Sequence, residues 1–299
     1  MTRSRRRLRL PIVAAALASA LAMAGLSGAT ASAVSVPVSV TATGAGAAAS
    51  APGSAAPASG RHLVAPEIGL GGMNTVTDYT SHNWDGYFAT AANDGTDFTS
   101  ISAQWVVPAV TCTSKTSYAG FWIGFDGWWN DSVEQDGTDA ECVRGVASYN
   151  VWWEMYPYNQ VQNGFSITPG DTIKATVSYS AGTKLFTMIV VDVTNGQTLN
   201  KSSKCHSDQN GCQRSSADVI SEDIGGGTDT DGLYYLPNYG TATYTNISVT
   251  DTSGHVGSLS DSAWQAGLVN EVSSTSITKQ STSALSSNGT SFKTTWLHV

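Results

Sequence analysis

Four segments of the chain have the residue types and the alternation of β-strands: FTSISAQWVV, DTIKATVSY, LFTMIVVDV and TATYTNISVT. Thr, Val and Ile are abundant in them, where a helix would favour Ala, Glu and Lys. Turn signals separate the segments, and Asn195-Gly196 predicts a type I′ hairpin. About a dozen short strands of this kind predict an all-β fold of two packed antiparallel sheets. The only helical signal is a turn near residues 260–266.

The amino-terminal region has a different composition. Residues 1–33 contain five arginines, then an apolar run rich in Ala and Leu, and end in an A-x-A-like sequence, which predicts a secretory signal peptide. Residues 34–74 are dominated by Ala, Ser, Gly, Val and Pro without aromatics, which predicts a propeptide or a disordered linker. The remaining residues, 75–299, are long enough for one all-β domain.

The charge balance limits the partners of the exported chain. Loss of the five arginines with the signal peptide leaves ten basic residues against 23 acidic ones. This acidity argues against nucleic acid or an anionic membrane as a partner. No later segment approaches the roughly 18 consecutive apolar residues of a membrane span. We expect a soluble, extracellular monomer.

The four cysteines all lie in the exported part, where disulfides persist. Three connectivities are possible, and proximity along the chain favours Cys112–Cys142 with Cys205–Cys212. A metal site is not expected, because the sequence has no C-x-x-C and its five histidines show no H-x-x-x-H spacing. No cofactor is indicated.

Two short stretches carry the candidate chemistry. In SADVISEDI, residues 216–224, alternation places Asp218, Ile220 and Glu222 on one face of a strand. The apolar Ile220 beside Glu222 indicates that this face is at least partly covered. In SVEQDG, residues 132–137, Gln135 and its neighbour Glu134 point to opposite faces. Taken alone, Glu222 and Gln135 would be ordinary surface residues.

Six motifs in one order give these residues a context: Asn83-Trp84, YAGFWIGFDG, SVEQDG, YNVWWEMYP, SADVISEDI and LPNYGTATYT. Together they span most of residues 80–250, and this region resembles the glutamic peptidases, also called eqolisins. The resemblance implies a jelly-roll or concanavalin-like β-sandwich of two antiparallel sheets, about seven strands each. It also implies an acid-acting endopeptidase whose catalytic pair is Gln135 and Glu222.

A Glu beside a Gln suits peptide hydrolysis. The reaction needs a base that activates water and a donor aimed at the oxygen that becomes negative. In an aspartic protease two carboxyls share one proton and so supply one anion and one neutral donor. A Glu–Gln pair is that combination permanently, because the amide is neutral and both donates and accepts. Glu222 is then the base and later the proton donor, and Gln135 positions water and stabilises the oxyanion.

The resemblance also implies a substrate cleft. In VWWEMYP, alternation puts Trp152, Glu154 and Tyr156 on one face and Trp153 and Met155 on the other. These aromatics could equally be sandwich core around a satisfied buried acid. The family pattern favours a cleft for an extended protein or peptide substrate, with Glu154 and Asp126 orienting the catalytic groups; its predicted lining residues are Trp84, Trp122, Asp126, Trp152, Glu154 and Tyr156.

Two other functions fit the composition. A carbohydrate-active or carbohydrate-binding sandwich also uses aromatic platforms, and paired carboxylates such as Glu154 and Glu222. A non-enzymatic wall or matrix protein would need neither Glu222 nor Gln135. The glycine-rich segment at 225–232 contains Asp229 and Asp231, and we expect a surface loop beside the cleft rather than a calcium site.

Overall fold

The computed structural model describes residues 76–90, 98–158, 160, 164–206 and 212–299. The predicted signal peptide, residues 1–33, and the predicted propeptide or linker, residues 34–74, lie outside the described residues and stay predictions. Within the described ranges the regular elements are strands, and no helix there is long and apolar enough to cross a membrane.

Fifteen strands make up the described part of the chain, and the four segments with β-strand patterning all fall on strands. They are β1 Val76–Ser81, β2 Trp84–Thr90, β3 Phe98–Val106, β4 Ser117–Asp126, β5 Val133–Val143, β6 Val146–Tyr156, β7 Thr172–Ser180, β8 Leu185–Asp192, β9 Thr198–Lys204, β10 Ser216–Asp223, β11 Thr241–Asp251, β12 Val256–Gly257, β13 Gln265–Glu271, β14 Gln280–Thr282 and β15 Phe292–Trp296.

The strands form two sheets. One has seven strands in the spatial order β1-β13-β2-β10-β4-β5-β6, and the other has eight, in the order β14-β15-β11-β3-β7-β8-β9 with β12 paired to β11. Neighbouring strands are antiparallel except β1 and β13, which run parallel. The predicted all-β sandwich of two largely antiparallel sheets, about seven strands each, is therefore confirmed.

The main core lies between the two sheets. Strand β8 shows how the sequence builds it, because Phe186, Met188 and Val190 are buried while the residues between them are partly exposed. The seven-stranded sheet contributes the alternate residues Phe121, Ile123 and Phe125 of β4 and Val219 of β10 to the same core. Their neighbours along each strand point to the opposite face of the seven-stranded sheet, called the outer face below.

The catalytic-strand candidate β10 is buried along both faces. On its inner side the Ser221 hydroxyl lies 3.0 Å from the Tyr244 hydroxyl and 2.7 Å from that of Thr294, both on the second sheet. The Tyr244 hydroxyl also donates to the Ile220 carbonyl at 2.8 Å. These bonds satisfy buried hydroxyls and fix β10 to the facing sheet.

The disulfides are Cys112–Cys142 and Cys205–Cys212, the two pairings that proximity along the chain favoured. The first ties the segment before β4 to the far end of β5, the strand that carries Gln135. The second ties the segment after β9 to the segment before β10, close to the strand that carries Glu222. Each therefore constrains a chain segment next to a candidate catalytic strand.

Two local predictions were wrong. The β8–β9 connection is not a type I′ turn, because only Gly196 has a positive φ and the loop spans residues 193–197. Asp192 accounts for the longer loop, since its carboxylate accepts hydrogen bonds from the amides of Thr194 and Asn195. Residues 260–264 form turns rather than a helical turn, and β13 begins at Gln265.

Candidate active site

A second cluster of buried aromatic and aliphatic side chains lies on the outer face. Cross-strand register places Trp152, Gly137, Trp122 and Ile220 in one row across the sheet. The cluster is separate from the core between the sheets. Its buried members are Trp84, Phe88, Trp122, Trp128, Val133, Trp152, Ile220 and Val269, with Tyr79 and Tyr156 against it.

Glu222 lies on the outer face, as the alternation of β10 predicted, and is 3% exposed. Its two carboxylate oxygens have separate donors. The side-chain amide of Asn83 donates to Oε1 at 3.0 Å, and the indole N–H of Trp122 donates to Oε2 at 2.7 Å. Each donor favours the ionised carboxylate and fixes its orientation.

Burial and these donors act on the Glu222 pKa in opposite directions. Burial raises the pKa, hydrogen bonding from Trp122, Trp84 and Asn83 offsets part of that rise, and the net pKa is about 8. Removal from water penalises the charged form, whereas an N–H donor stabilises it. In the buried site Glu222 is therefore protonated in acid, and any entry of water favours its ionisation.

Gln135 also lies on the outer face, where its side chain meets Glu154. The Nε2 of Gln135 donates to Oε2 of Glu154 at 2.6 Å, between residues that are register partners on β5 and β6. Burial raises the Glu154 pKa well above its usual value, the charge of Glu222 raises it further, and the Gln135 amide lowers it. Gln135 and Glu222 therefore both influence the pKa of Glu154.

Glu222 and Gln135 stand on either side of β4. Glu222 pairs with Gly120 and Gln135 with Gly124, so four residues of β4, about 13 Å of strand, separate the two positions lengthwise. The hydrogen bonds of each side chain go to other residues, not to the opposite member of the pair. The two side chains therefore lie on the same face of the sheet without a direct hydrogen bond between them.

Glycines on the outer face line the floor between the two side chains. A Cβ at Gly124 would lie 2.9 Å from the Cβ of Gln135, and one at Gly137 would lie 2.6 Å from the Cβ of Trp122. Both separations are shorter than Cβ atoms tolerate, so these positions exclude any side chain. Gly124 and Gly137 are themselves buried, so the sheet is closely packed at these positions.

The predicted cleft aromatics all belong to this region. The rings of Trp84 and Trp122 meet edge to face with centroids 5.0 Å apart. Trp152 and Tyr156 lie on β6, on the same face as Glu154, while Trp153 and Met155 join the core between the sheets as the alternation predicted. The structure brings together Trp84, Trp122, Trp152, Glu154 and Tyr156; their contact with substrate stays a prediction.

Several buried polar atoms of the outer-face region have no hydrogen-bond partner among the described residues. They include the Oε1 of Gln135, the indole nitrogens of Trp128 and Trp152 and the Oδ1 of Asp218. The indole nitrogen of Trp153, on the inner face, is also unpaired, so this property is not confined to the outer face.

Asp126 is placed differently from the other predicted site residues. Its Oδ1 accepts from the amide and hydroxyl of Ser215 at 2.7 and 3.0 Å and from the Asn130 amide at 2.8 Å, while its Oδ2 accepts from the Arg214 amide at 2.6 Å. None of these bonds reaches Glu222 or Gln135. Asp126 holds the turn after β4 against the start of β10.

Glu134 points to the inner face, as predicted from its position next to Gln135. It pairs in register with Phe125, is fully buried, and has a pKa raised by burial and by the nearby charge of Asp126. Asp136, two residues on, is also buried on the inner side, where burial raises its pKa well above normal. Because Glu134 is fully buried, Glu134→Gln, which keeps the size of the side chain, is a better control for Gln135 substitutions than Glu134→Ala.

The glycine-rich segment 225–232 is fixed by Asp229 and Lys279. Oδ1 of Asp229 accepts from the amides of Asp231 and Leu233 at 2.8 and 2.7 Å, so the carboxylate folds the loop itself. Lys279 lies 3.1 Å from Asp229 Oδ2 and 3.4 Å from Glu271 Oε1, and it also contacts Asp223. The Lys279 side chain is 4% exposed, so one buried cation joins three carboxyl groups behind Glu222.

This loop borders the outer face at the Glu222 end. Just after the loop, Tyr234 packs edge-on against Tyr118, with centroids 4.6 Å apart. Tyr118 is two residues from Gly120, the register partner of Glu222, and so shares its face. Among the described residues, no group of three or more His, Cys, Asp or Glu side chains is arranged to hold a metal ion.

Sequence reasoning missed the role of Asn83. It lies in the short connection between β1 and β2, 139 residues before its partner Glu222, and nothing local marks an asparagine in a bend as a ligand for a distant carboxylate. Its position next to Trp84, in the first of the six motifs, was the only available signal.

Comparison with known proteins agrees with this geometry. Residues 82–294, more than half of the chain, match the model of the Peptidase A4 family. The chain belongs to this family. Aspergillopepsin-2 of Aspergillus niger is 29% identical to it over 207 residues, which cover 61% of this chain and 69% of that protein. The predicted resemblance is thereby confirmed, and the protein is a glutamic endopeptidase.

Two solved structures support the same assignment. Scytalido-glutamic peptidase with a transition state analog inhibitor aligns with a TM-score of 0.60 and 25% identity, covering 72% of this chain and 98% of that chain. Aspergilloglutamic peptidase from Aspergillus niger aligns with a TM-score of 0.51 and 25% identity, covering 60% and 99%. The family match favours the peptidase over the carbohydrate-active and non-enzymatic alternatives.

Proposed function

We propose that this protein is an exported endopeptidase that cleaves protein substrates in acid, with Glu222 as the general base and Gln135 as the oxyanion-stabilising amide. The observation that carries the proposal is the placement of both side chains on one face of the sheet, across a glycine floor, with a separate N–H donor on each Glu222 carboxylate oxygen. Such donors prepare the anion that a base requires.

In this proposal a water molecule and the scissile peptide lie between Glu222 and Gln135. Water that enters with the peptide removes part of the burial that raises the Glu222 pKa, while Asn83 and Trp122 remain as donors. The ionised Glu222 then takes a proton from water as the oxygen attacks the carbonyl carbon. The same carboxyl later gives this proton to the leaving amine.

Gln135 is suited to the carbonyl oxygen. One N–H of its amide is held by Glu154, which leaves the second N–H to donate to the oxyanion as negative charge develops. Because the amide is oriented before substrate binds, it need not reorganise during the reaction. Glu154 is therefore a positioning residue for Gln135 in this scheme.

The aromatic side chains supply the walls of the cleft. Trp84, Trp122 and Trp152 present large apolar surfaces beside the proposed catalytic pair, and the indole nitrogen of Trp152 has no partner in the part of the chain that the structure describes. We assign these residues and Tyr156 to substrate side chains, and the Trp152 N–H to a backbone carbonyl of the substrate. Asp126 supports the cleft through the turn after β4.

Export is supported by two features. The amino-terminal sequence has the composition of a signal peptide. The two disulfides leave no free cysteine among the described residues, which fits an oxidising compartment. We infer that the mature protein acts extracellularly as a monomer on protein or peptide substrates.

A protein digestion assay between about pH 2 and about pH 7 tests the proposal. Wild type should cleave in acid, with or without pepstatin, and Glu222→Gln or Gln135→Ala should abolish cleavage. Glu134→Gln, a matched change on the opposite face of β5, should retain it. Full activity of Glu222→Gln, or equal loss in Glu134→Gln, would refute the assigned pair.

A further inference from the structure

We propose that Asn83, oriented by Ser81, is a positioning residue that fixes the carboxylate of the general base Glu222 and favours its anionic form. This inference rests on the proposed function of Glu222. Asn83 is fully buried, and its side-chain Nδ2 lies 3.0 Å from Glu222 Oε1.

Ser81 determines which end of the Asn83 amide meets Glu222. The Ser81 hydroxyl oxygen accepts from the backbone amides of Asn83 and Trp84 at 3.3 and 3.2 Å. Its hydroxyl hydrogen is then directed to the Asn83 Oδ1, 3.2 Å away. Since Oδ1 already accepts this bond, the NH₂ group is the end that faces the carboxylate.

The backbone of Asn83 adds a second constraint on Glu222. The carbonyl of Asn83 accepts from the amide of Asp223 at 2.8 Å. Asp223 is the residue after Glu222, so Asn83 binds both the catalytic side chain and the adjoining peptide unit. One residue thus sets the position of the carboxylate relative to the strand that carries it.

Asn83 and Trp122 together satisfy both oxygens of Glu222. An N–H donor on each oxygen favours the anion, because the acid form loses one of these bonds when its own hydrogen occupies an oxygen. Charged groups also surround Glu222: Asp223 on β10 disfavours its ionisation, and the charge of Glu222 in turn raises the pKa of Glu154 on β6. Among these neighbours, Asn83 is one of the few groups that favour ionised Glu222, the form that a base requires in acid.

The test measures kcat and KM across pH with a fluorogenic peptide that wild type cleaves. Asn83→Ala removes the donor, so we expect the kinetic pKa on the acid limb of kcat to rise by about one unit. At a fixed pH on that limb kcat should fall about tenfold, with KM changed less than about twofold. At the upper plateau kcat should approach that of wild type.

Two further variants give an ordered series. Ser81→Ala leaves the Asn83 amide free to turn and should raise the kinetic pKa by less than Asn83→Ala does. Asn83→Asp keeps the side-chain shape but places a second carboxyl beside Glu222, so it should raise the kinetic pKa most. This isosteric variant also serves if the alanine variant does not fold.

Asp85→Asn is the matched control. Asp85 is buried on β2 but pairs in register with Ser221, on the inner side of the sheet. It should leave the kinetic pKa unchanged even if it alters stability. An unchanged acid limb in Asn83→Ala and Asn83→Asp, with only a uniform loss of rate, would overturn the inference. Activity that persists in Glu222→Gln would instead overturn the proposed function on which it rests.

Discussion

Glu222→Gln should inactivate the enzyme and at the same time stabilise its fold near neutral pH. In the unfolded chain a Glu ionises above about pH 4.3, whereas burial raises the pKa of Glu222 in the folded protein to about 8. The folded state therefore holds a proton that the unfolded state loses. The stability that this proton provides is complete below the unfolded pKa and is lost as pH rises through the folded pKa.

The magnitude follows from the shift. Each pH unit between the two pKa values lowers the free energy of unfolding by about 1.4 kcal/mol. From the usual 4.5 to about 8, the loss for wild type reaches about 5 kcal/mol. Glutamine cannot ionise, but its NH₂ group cannot accept a hydrogen bond from Asn83 or Trp122, as the hydroxyl of a protonated carboxyl can. The variant should therefore be about 1–3 kcal/mol less stable than wild type near pH 3. Relative to wild type it should gain as much as about 5 kcal/mol as pH rises to about 8, and so be the more stable protein there.

Urea unfolding with intact disulfides, followed by tryptophan fluorescence and circular dichroism at several pH values, measures this difference. Glu141→Gln is the control, because it makes the same chemical change at a partly exposed site. A stability difference between Glu222→Gln and wild type that does not change with pH would refute the reasoning. So would a variant that is less stable than wild type near pH 8.

Two other substitutions test the surroundings of the pair. Lys279→Met leaves three carboxyl groups without their buried cation, so it should cost about 3–5 kcal/mol in urea unfolding near pH 7. Near pH 3 the cost should be smaller, because burial raises the pKa of Asp223 and of Glu271 and both are protonated there. The exposed Lys293→Met should cost under about 0.5 kcal/mol, and equal losses for Lys279→Met at both pH values would contradict this reasoning. Gly137→Ala places a Cβ 2.6 Å from that of Trp122, a donor to Glu222, and should cost about 1–3 kcal/mol of stability and most of kcat. Gly182→Ala, with open space around the new Cβ, should change neither, and a fully active Gly137→Ala would exclude a tight floor.

The sequence predicted the strands and the faces of β6 and β10 because alternation is a local property. It could not separate the two buried faces of the seven-stranded sheet, since both are apolar: Phe121 lies between the sheets and Trp122 beside Glu222. Asp136 breaks the alternation rule altogether, as a carboxyl on the inner side. Burial raises its pKa, so it can remain there in its neutral form.

Long-range contacts were the other limit. The catalytic pair was predicted through the family motifs, whereas the bond from Asn83 to Glu222 joins residues 139 positions apart and depends on the strand order. The predicted type of the turn after β8 was wrong for a different reason. The Asn-Gly signal was correct in kind, but the Asp192 carboxylate binds the following amides and favours a longer loop.

The hydroxyl contacts behind β10 have a consequence for how this enzyme can adapt to different substrates. Ser221 joins the strand of Glu222 to Tyr244 and Thr294 on the second sheet, so the strand cannot move without breaking bonds at its rear. In the proposed mechanism, accommodation of different peptides would then come from the rim of the sandwich, while the Glu222 carboxylate keeps one orientation. The hydrogen bonds behind β10 thus restrict motion at the centre of the sheet and give the Glu222 carboxylate the same position in every turnover.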